Sequence, residues 1–357
     1  MLGLLVCGLA PTMEVFVLGR VVQGLGGGAL MSSLYVVVGE VFPEALRPSI
    51  FASFAAAWVL PSLFGPAVAA FVAHALGWRW VFLLVVVLVL GCGLLVSPAL
   101  RRLRVRDEPG RADARRLLAW SVLAAAAVLA VELLGSIEGP LAVTALLPLL
   151  LVGVAVRPLL PPGTLRAARG LPAVMVTRGA LAAAFFCAEA YVVFVLQERW
   201  GYSPGQAGIA LSIVGVVWAA ASQAQARVRL SNTRVMTIGT TLVLAGLVVL
   251  AASVAGTIHP LLAMAGYGLG GAGMGFAYAR TGVSMLAGST DADRGFNSSA
   301  LTISDSLGGA LALAVSGVVY ASVRRADADP FTAVFALAAA LAVVAVLAAR
   351  RTRPVRG

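Results

Sequence analysis

Eleven apolar stretches, each close to the roughly 20 residues that a helix needs to cross hydrocarbon, dominate this chain. They run near 13–39, 49–74, 79–98, 117–135, 140–157, 178–197, 205–223, 235–254, 260–287, 298–320 and 330–349, after a short apolar stub at 2–10. Of 357 residues, 61% are hydrophobic and 11% charged, too apolar for a soluble domain to bury. The expected fold class is an all-α polytopic membrane protein with about 11 full transmembrane helices plus a partial one. Several stretches exceed one straight span and are expected to tilt or kink at internal Gly and Pro.

Charge supports this segmentation. All 26 basic residues are arginine, and the net charge is +11. That balance could suggest a nucleic-acid partner, but the arginines sit in the joints between apolar segments. Alternating those joints puts 20 arginines on one side, including Arg47, Arg178 and seven within 101–116, against Arg79, Arg199, Arg324 and Arg325 on the other. Cytoplasmic loops carry such an excess. The 99–116 loop and the 350–357 tail are therefore expected in the cytoplasm, and nucleic acid is set aside as a partner. Cys7, Cys92 and Cys187 lie within apolar segments without metal-ligand spacing, so neither a disulfide framework nor a metal site is expected.

Arg20 is the exception, a cation inside an apolar, glycine-rich run with Gln23, Gly24, Gly26, Gly27 and Gly28. An arginine at membrane depth costs at least about 2.5–3.5 kcal/mol, so it should face a partner or a wet cavity. Gln23 lies one turn along the same helical face. The glycines permit close helix approach, as do Gly65 and Pro66 in the next segment. Gly24, Leu25, Gly26 and Gly27 recur as Gly268, Leu269, Gly270 and Gly271. Each copy is followed by a turn bearing an arginine (Arg47, Arg294) and then by a small-residue helix. Parallel halves of this kind are a transporter design. Three full segments precede the second copy but only the stub precedes the first, so about 70 residues are expected to be missing at the front by that symmetry.

These residues resemble the major facilitator superfamily, in its fourteen-helix drug:proton antiporter branch of actinobacterial style. Phe16, Arg20, Gln23, Gly24, Gly26, Gly27 and Gly28 are similar to that family's fourth-helix motif, whose arginine is implicated in proton coupling. Pro61, Gly65, Pro66, Ala69 and Ala70 resemble its fifth-helix antiporter motif, with proline and a pair of alanines where the family has glycines. The resemblance covers nearly the whole chain and implies a two-bundle helix architecture. Residues 1–98 would form an incomplete N-terminal bundle, 99–116 a basic loop and 117–157 two linking helices, with a C-terminal six-helix bundle at 158–349 and a tail at 350–357. It implies a monomeric secondary transporter of the bacterial plasma membrane, exporting drugs or other small hydrophobic or cationic molecules by alternating access. The partners are then the lipid bilayer, a small-molecule substrate and protons; the proton gradient supplies the energy, with no cofactor.

Other residues are singled out by position. Glu189 sits midway along its segment, where desolvation penalises the charged form, making it a candidate for proton exchange or cation recognition. Asp305 shares a polar stripe with Ser298, Thr302 and Gly309. Arg280, on the preceding antiparallel segment, lies at the same depth of roughly 10–12 Å at 1.5 Å per residue, so the two are expected to pair. Trp58, Trp218, Tyr267 and Tyr278 are candidates for lining an aromatic cavity. Glu14 and Glu132 fall near outer segment ends, and His74 and His259 at segment ends or in loops. Gly268, Gly270 and Gly273 with Asp291 formally match a dinucleotide fingerprint, but no strand precedes them. The competing classes are a truncated, inactive transporter and a polytopic enzyme using Asp291 and Asp293 or Asp327 and Asp329 as metal ligands.

Overall fold

Proline sets where many of these helices begin. A computed structural model describes residues 1–100, 114–135 and 146–353. Most of the basic loop, residues 136–145 and the end of the tail lie outside the described residues, as do the side chains of Trp58, Pro66 and Glu132. The helices are α1 (Leu2–Gly8), α2 (Met13–Val41), α3 (Arg47–Leu76), α4 (Trp78–Leu100), α5 (Ala114–Gly135), α6 (Leu146–Ala155), α7 (Leu171–Trp200), α8 (Pro204–Ala226), α9 (Asn232–Ala255), α10 (Pro260–Ala287), α11 (Arg294–Arg325) and α12 (Pro330–Arg350). Among the described residues there is no strand. The expected segments overlap described helices, from 13–39 in α2 to 330–349 in α12, though of 140–157 the described part holds only the ten-residue α6 and a short 3-10 turn. By length and composition, α2, α4, α7, α8, α9, α11 and α12 can cross a membrane.

Proline occupies a first-turn position in α7, α8, α10 and α12, where its missing N–H has no intrahelical partner to lose. α8 adds a capping box, Ser203 accepting from Gln206 N while Gln206 accepts from Ser203 N. Asp329 caps α12 by accepting from Phe331 N and Thr332 N. α7 ends at Gly201, whose φ of +65° is the left-handed stop that glycine adopts freely.

One revision follows at the start of α7. Arg178 was counted among the loop arginines, yet it is the eighth residue of Leu171–Trp200 and only 5% exposed. Gly170 and Pro172 start the helix a full two turns earlier than the apolar run suggests.

The described residues fall into two compact units, 1–34 with 60–114, and 35–59 with 115–357. In the first, α1 packs on α4, and a methyl on Gly3 would meet Gly19 O at 2.6 Å. Arg79 donates to Ala10 O at 3.1 Å, and Phe16 meets Phe82 edge-on at 5.4 Å. In the second, α7 packs on α11 and α12, and α9 on α10 and α12. The core there gathers Phe185, Leu247, Leu250, Met274 and Phe335, all buried. Small residues draw these helices together: a methyl on Gly239 would meet Ala277 N at 2.6 Å, and one on Gly273 Val243 N at 2.6 Å.

The glycines singled out in sequence are not the tight ones. A methyl at Gly24, Gly26, Gly27, Gly28, Gly65 or Gly268 would meet nothing within 4 Å, and at Gly270 only Phe185 at 3.8 Å. Gly271 alone is tight, against Val214 Cγ1 at 2.6 Å.

Candidate functional site

Gly179 and Gly308 bring α7 and α11 into backbone contact; a methyl on either would overlap the other helix, Gly179 against Ser304 O at 2.8 Å and Gly308 against Gly179 itself. Beside this crossing, Arg178 Nε donates to Asp305 Oδ1 at 2.7 Å. Tyr278 of α10 donates its hydroxyl to Asp305 Oδ2 at 2.7 Å. Arg178 Nη1 donates to Tyr278 O at 3.2 Å and Thr281 Oγ1 at 3.0 Å, and Nη2 to the Tyr35 hydroxyl of α2 at 3.1 Å. Its guanidinium also lies 3.3 Å from the centre of the Tyr278 ring. Every N–H-bearing nitrogen of this buried cation thus has a partner, as a desolvated charge requires. The Asp305 side chain remains 21% exposed, so one edge of the pair is open to a proton.

Asp305 therefore pairs with Arg178 and not, as expected, with Arg280. Arg280 donates through Nε to Gln225 Oε1 at 2.5 Å, through Nη1 to Asn232 Oδ1 at 3.0 Å, and through Nη2 to Gln225 O and Val228 O at 2.7 and 3.2 Å. It staples the turn between α8 and α9. The depth argument used only position along each helix and ignored azimuth. At 3.6 residues per turn, Arg280 points about 200° away from Tyr278, so only one of them can face α7.

Above the pair, an aromatic cluster fills α7, α8 and α10. Phe185 stacks on Tyr267 at 5.1 Å and meets Trp218 edge-on at 5.3 Å, and Trp218 meets Tyr278 at 5.5 Å. Three of the proposed cavity aromatics thus share one cluster, in which Tyr267 is buried. Glu189 lies on the same stripe of α7 as Arg178, three turns on, and makes no hydrogen bond or ion pair with any described residue.

Arg20 Nη1 donates to Gln23 Oε1 at 2.8 Å on an exposed face of α2. At the end of α2, Glu40 and Asp291 both pair with Arg294 of α11. The aspartate pairs weighed as metal ligands have structural partners: Asp293 accepts from Thr290 N at 2.7 Å, and Asp329 pairs with Arg199. Among the described residues no group of three or more His, Cys, Asp or Glu is placed to hold a metal.

Sequence reasoning missed Arg178, Tyr35 and Thr281. Arg178 was visible only as one more basic residue beside a loop; its signal was the Gly170, Pro172 helix start.

This is an all-helical membrane protein with a buried, fully bonded ion pair between its helices. The Major Facilitator Superfamily profile matches residues 1–222, and the chain belongs to that family. It is similar to Multidrug resistance protein 3 of Bacillus subtilis, 34% identical over 82 residues, 23% of this chain and 16% of that one. A probable multidrug-efflux transporter of Mycobacterium tuberculosis is 35% identical over 99 residues, 28% of this chain and 21% of the relative. These matches span well under a third of the relatives' lengths. In fold the chain is similar to the human organic anion transporter MFSD10, with TM-score 0.71, 15% identity, and coverage of 97% and 74% of the two chains. The proton:xylose symporter XylE gives TM-score 0.65, 14% identity, and coverage of 97% and 77%. The family is one of transporters, and the enzyme reading falls with it.

Proposed function

We propose that this chain is a secondary active transporter that exports small hydrophobic or cationic molecules in exchange for protons, by alternating access. It works in the bacterial plasma membrane, as a monomer, with its C-terminus in the cytoplasm as the arginine bias implies. The observation that carries the coupling is the Arg178, Asp305, Tyr278 cluster. A carboxylate shared by a guanidinium and a phenol within apolar helices is a two-state element. A proton arriving at Asp305 cancels the charge that holds Arg178, and a buried cation without its counter-charge is costly. Arg178 must then shift its bonds, and one of them runs to Tyr35 on α2. The proton thus acts on the contact between α7 and the end of α2. Arg20 with Gln23, and the unpaired Glu189, are secondary candidates for gating and for proton or cation binding. Kinship with multidrug-efflux proteins supports the substrate class.

The test is efflux of a fluorescent organic cation from proteoliposomes under an imposed pH gradient. Asp305→Asn should abolish gradient-driven transport while leaving protein insertion intact. Tyr35→Phe should keep transport but shift its pH profile. Full gradient-driven transport by Asp305→Asn with an unaltered pH profile would sink this assignment.

A further inference from the structure

Nine arginines among the described residues bond to the protein through their side chains. Arg20, Arg47, Arg79, Arg178, Arg199, Arg280, Arg294, Arg324 and Arg325 all donate to backbone or side-chain acceptors. A second group does not. Arg169, Arg227, Arg229, Arg234, Arg351 and Arg353 are exposed, and their guanidinium groups make no hydrogen bond or ion pair with any described residue.

These free cations come from three separate segments that the fold ties together. Gly170 N donates to Arg351 O at 2.9 Å, binding the start of α7 to the segment after α12. Thr352 Oγ1, on a residue only 6% exposed, donates to Thr233 Oγ1 at 3.1 Å, binding that same segment to the start of α9. Arg169, Arg234, Arg351 and Arg353 flank these two bonds directly. Arg227 and Arg229 sit on the turn that Arg280 holds through Val228 O. No Asp or Glu occurs in 157–178, 225–237 or 346–353. The cations therefore have no carboxylate of their own segments to neutralise them.

Leu165 and Leu230 remain 57% and 39% exposed beside these arginines. The patch lies at the ends of α7, α8, α9 and α12, each long and apolar enough to cross a membrane. Phosphate-binding cations next to exposed leucines fit a molecule that joins an anionic phosphodiester to acyl chains. We infer that this face is a binding site for anionic phospholipid of the cytoplasmic leaflet, held in shape by the Gly170 to Arg351 and Thr352 to Thr233 bonds. Juxtamembrane arginines attract such lipids. Arginines that serve only to orient insertion need no tie between their segments, and these segments are tied by two hydrogen bonds. The inference rests on the membrane placement used above but not on proton coupling.

The experiment is thermal unfolding of the full chain in nanodiscs of phosphatidylcholine with and without phosphatidylglycerol, alongside counts of retained lipid by native mass spectrometry. Phosphatidylglycerol should raise the melting temperature and be retained. Arg169→Gln, Arg234→Gln, Arg351→Gln and Arg353→Gln together should lower the preference for it about tenfold or more, with stability in phosphatidylcholine unchanged. Should that variant fail to insert, Arg351→Gln with Arg353→Gln tests the same site. Thr352→Val should weaken the preference with every arginine retained. Asp305→Asn, disabled in transport, should keep it. Equal stability of the wild type in the two lipids, an undiminished preference in the arginine variants, or the same shift from inorganic phosphate alone would overturn the site.

Discussion

Arg178 and Asp305, 127 residues apart, are joined at 2.7 Å because their neighbours Gly179 and Gly308 carry no side chains. The glycine crossing sets the distance between α7 and α11, and that distance sets the ion pair.

Gly308→Ala should therefore be costly. Its methyl would overlap the backbone of Gly179, and neither backbone can yield within two packed helices. Overpacking of this kind costs about 1–3 kcal/mol. A lower melting temperature in detergent is the expected result, and Gly24→Ala, with open space around it, is the control that should leave it unchanged. Equal effects of the two substitutions would mean the crossing is not tight.

Removing one member of the pair should hurt more than removing both. Asp305→Asn leaves Arg178 buried without its counter-charge, a loss of about 3–5 kcal/mol, whereas Arg178→Met combined with Asp305→Leu should recover most of it. Chemical or thermal denaturation of the three variants measures this coupling. Additive losses would show that the pair does not act as a unit.

Arg280→Lys tests the staple between α8 and α9. A lysine amine cannot reproduce four bonds to Gln225, Asn232 and Val228 from a planar fork. Amide hydrogen exchange across 226–231 should accelerate, while the Arg178 cluster stays protected. Unchanged exchange in that turn would remove Arg280 from the role.

Asp329 gives a pH dependence outside the spans. Burial pushes its carboxyl upward, but hydrogen bonds from Thr332 and Arg199, the Arg199 charge and Phe331 N outweigh it and hold it below its ordinary value of 3.8. A lowered folded value means the Arg199 pair and the α12 cap stabilise above about pH 4 and are lost as pH falls through that lowered value. The side chain is 30% exposed, so the effect is under about 1 kcal/mol. Melting temperatures from pH 6 down to pH 3 should fall more for the wild type than for Asp329→Asn. Parallel curves would count against the pair.

The helices were legible because hydropathy, proline and capping residues act locally. Ser203 with Gln206, Asp329 before Pro330, and Pro260 after His259 each mark a helix start without knowledge of any neighbour. Arg20 and Gln23 were also readable, since i and i+3 on one helix are close wherever that helix lies, and they are 2.8 Å apart. The partners of Arg280 and Asp305 were not, because each depends on how its helix is rotated.

The sequence by itself determined the apolar segments and the family, since those follow from apolar length, arginine placement and glycine motifs. Only the tertiary structure decided which polar groups meet. A spacing along one helix gives height and relative azimuth on that helix alone. The rotation of α7, α10 and α11 about their own axes is fixed by packing at Gly179, Gly239, Gly273 and Gly308. That rotation turns Tyr278 toward Arg178 and Arg280 toward Gln225.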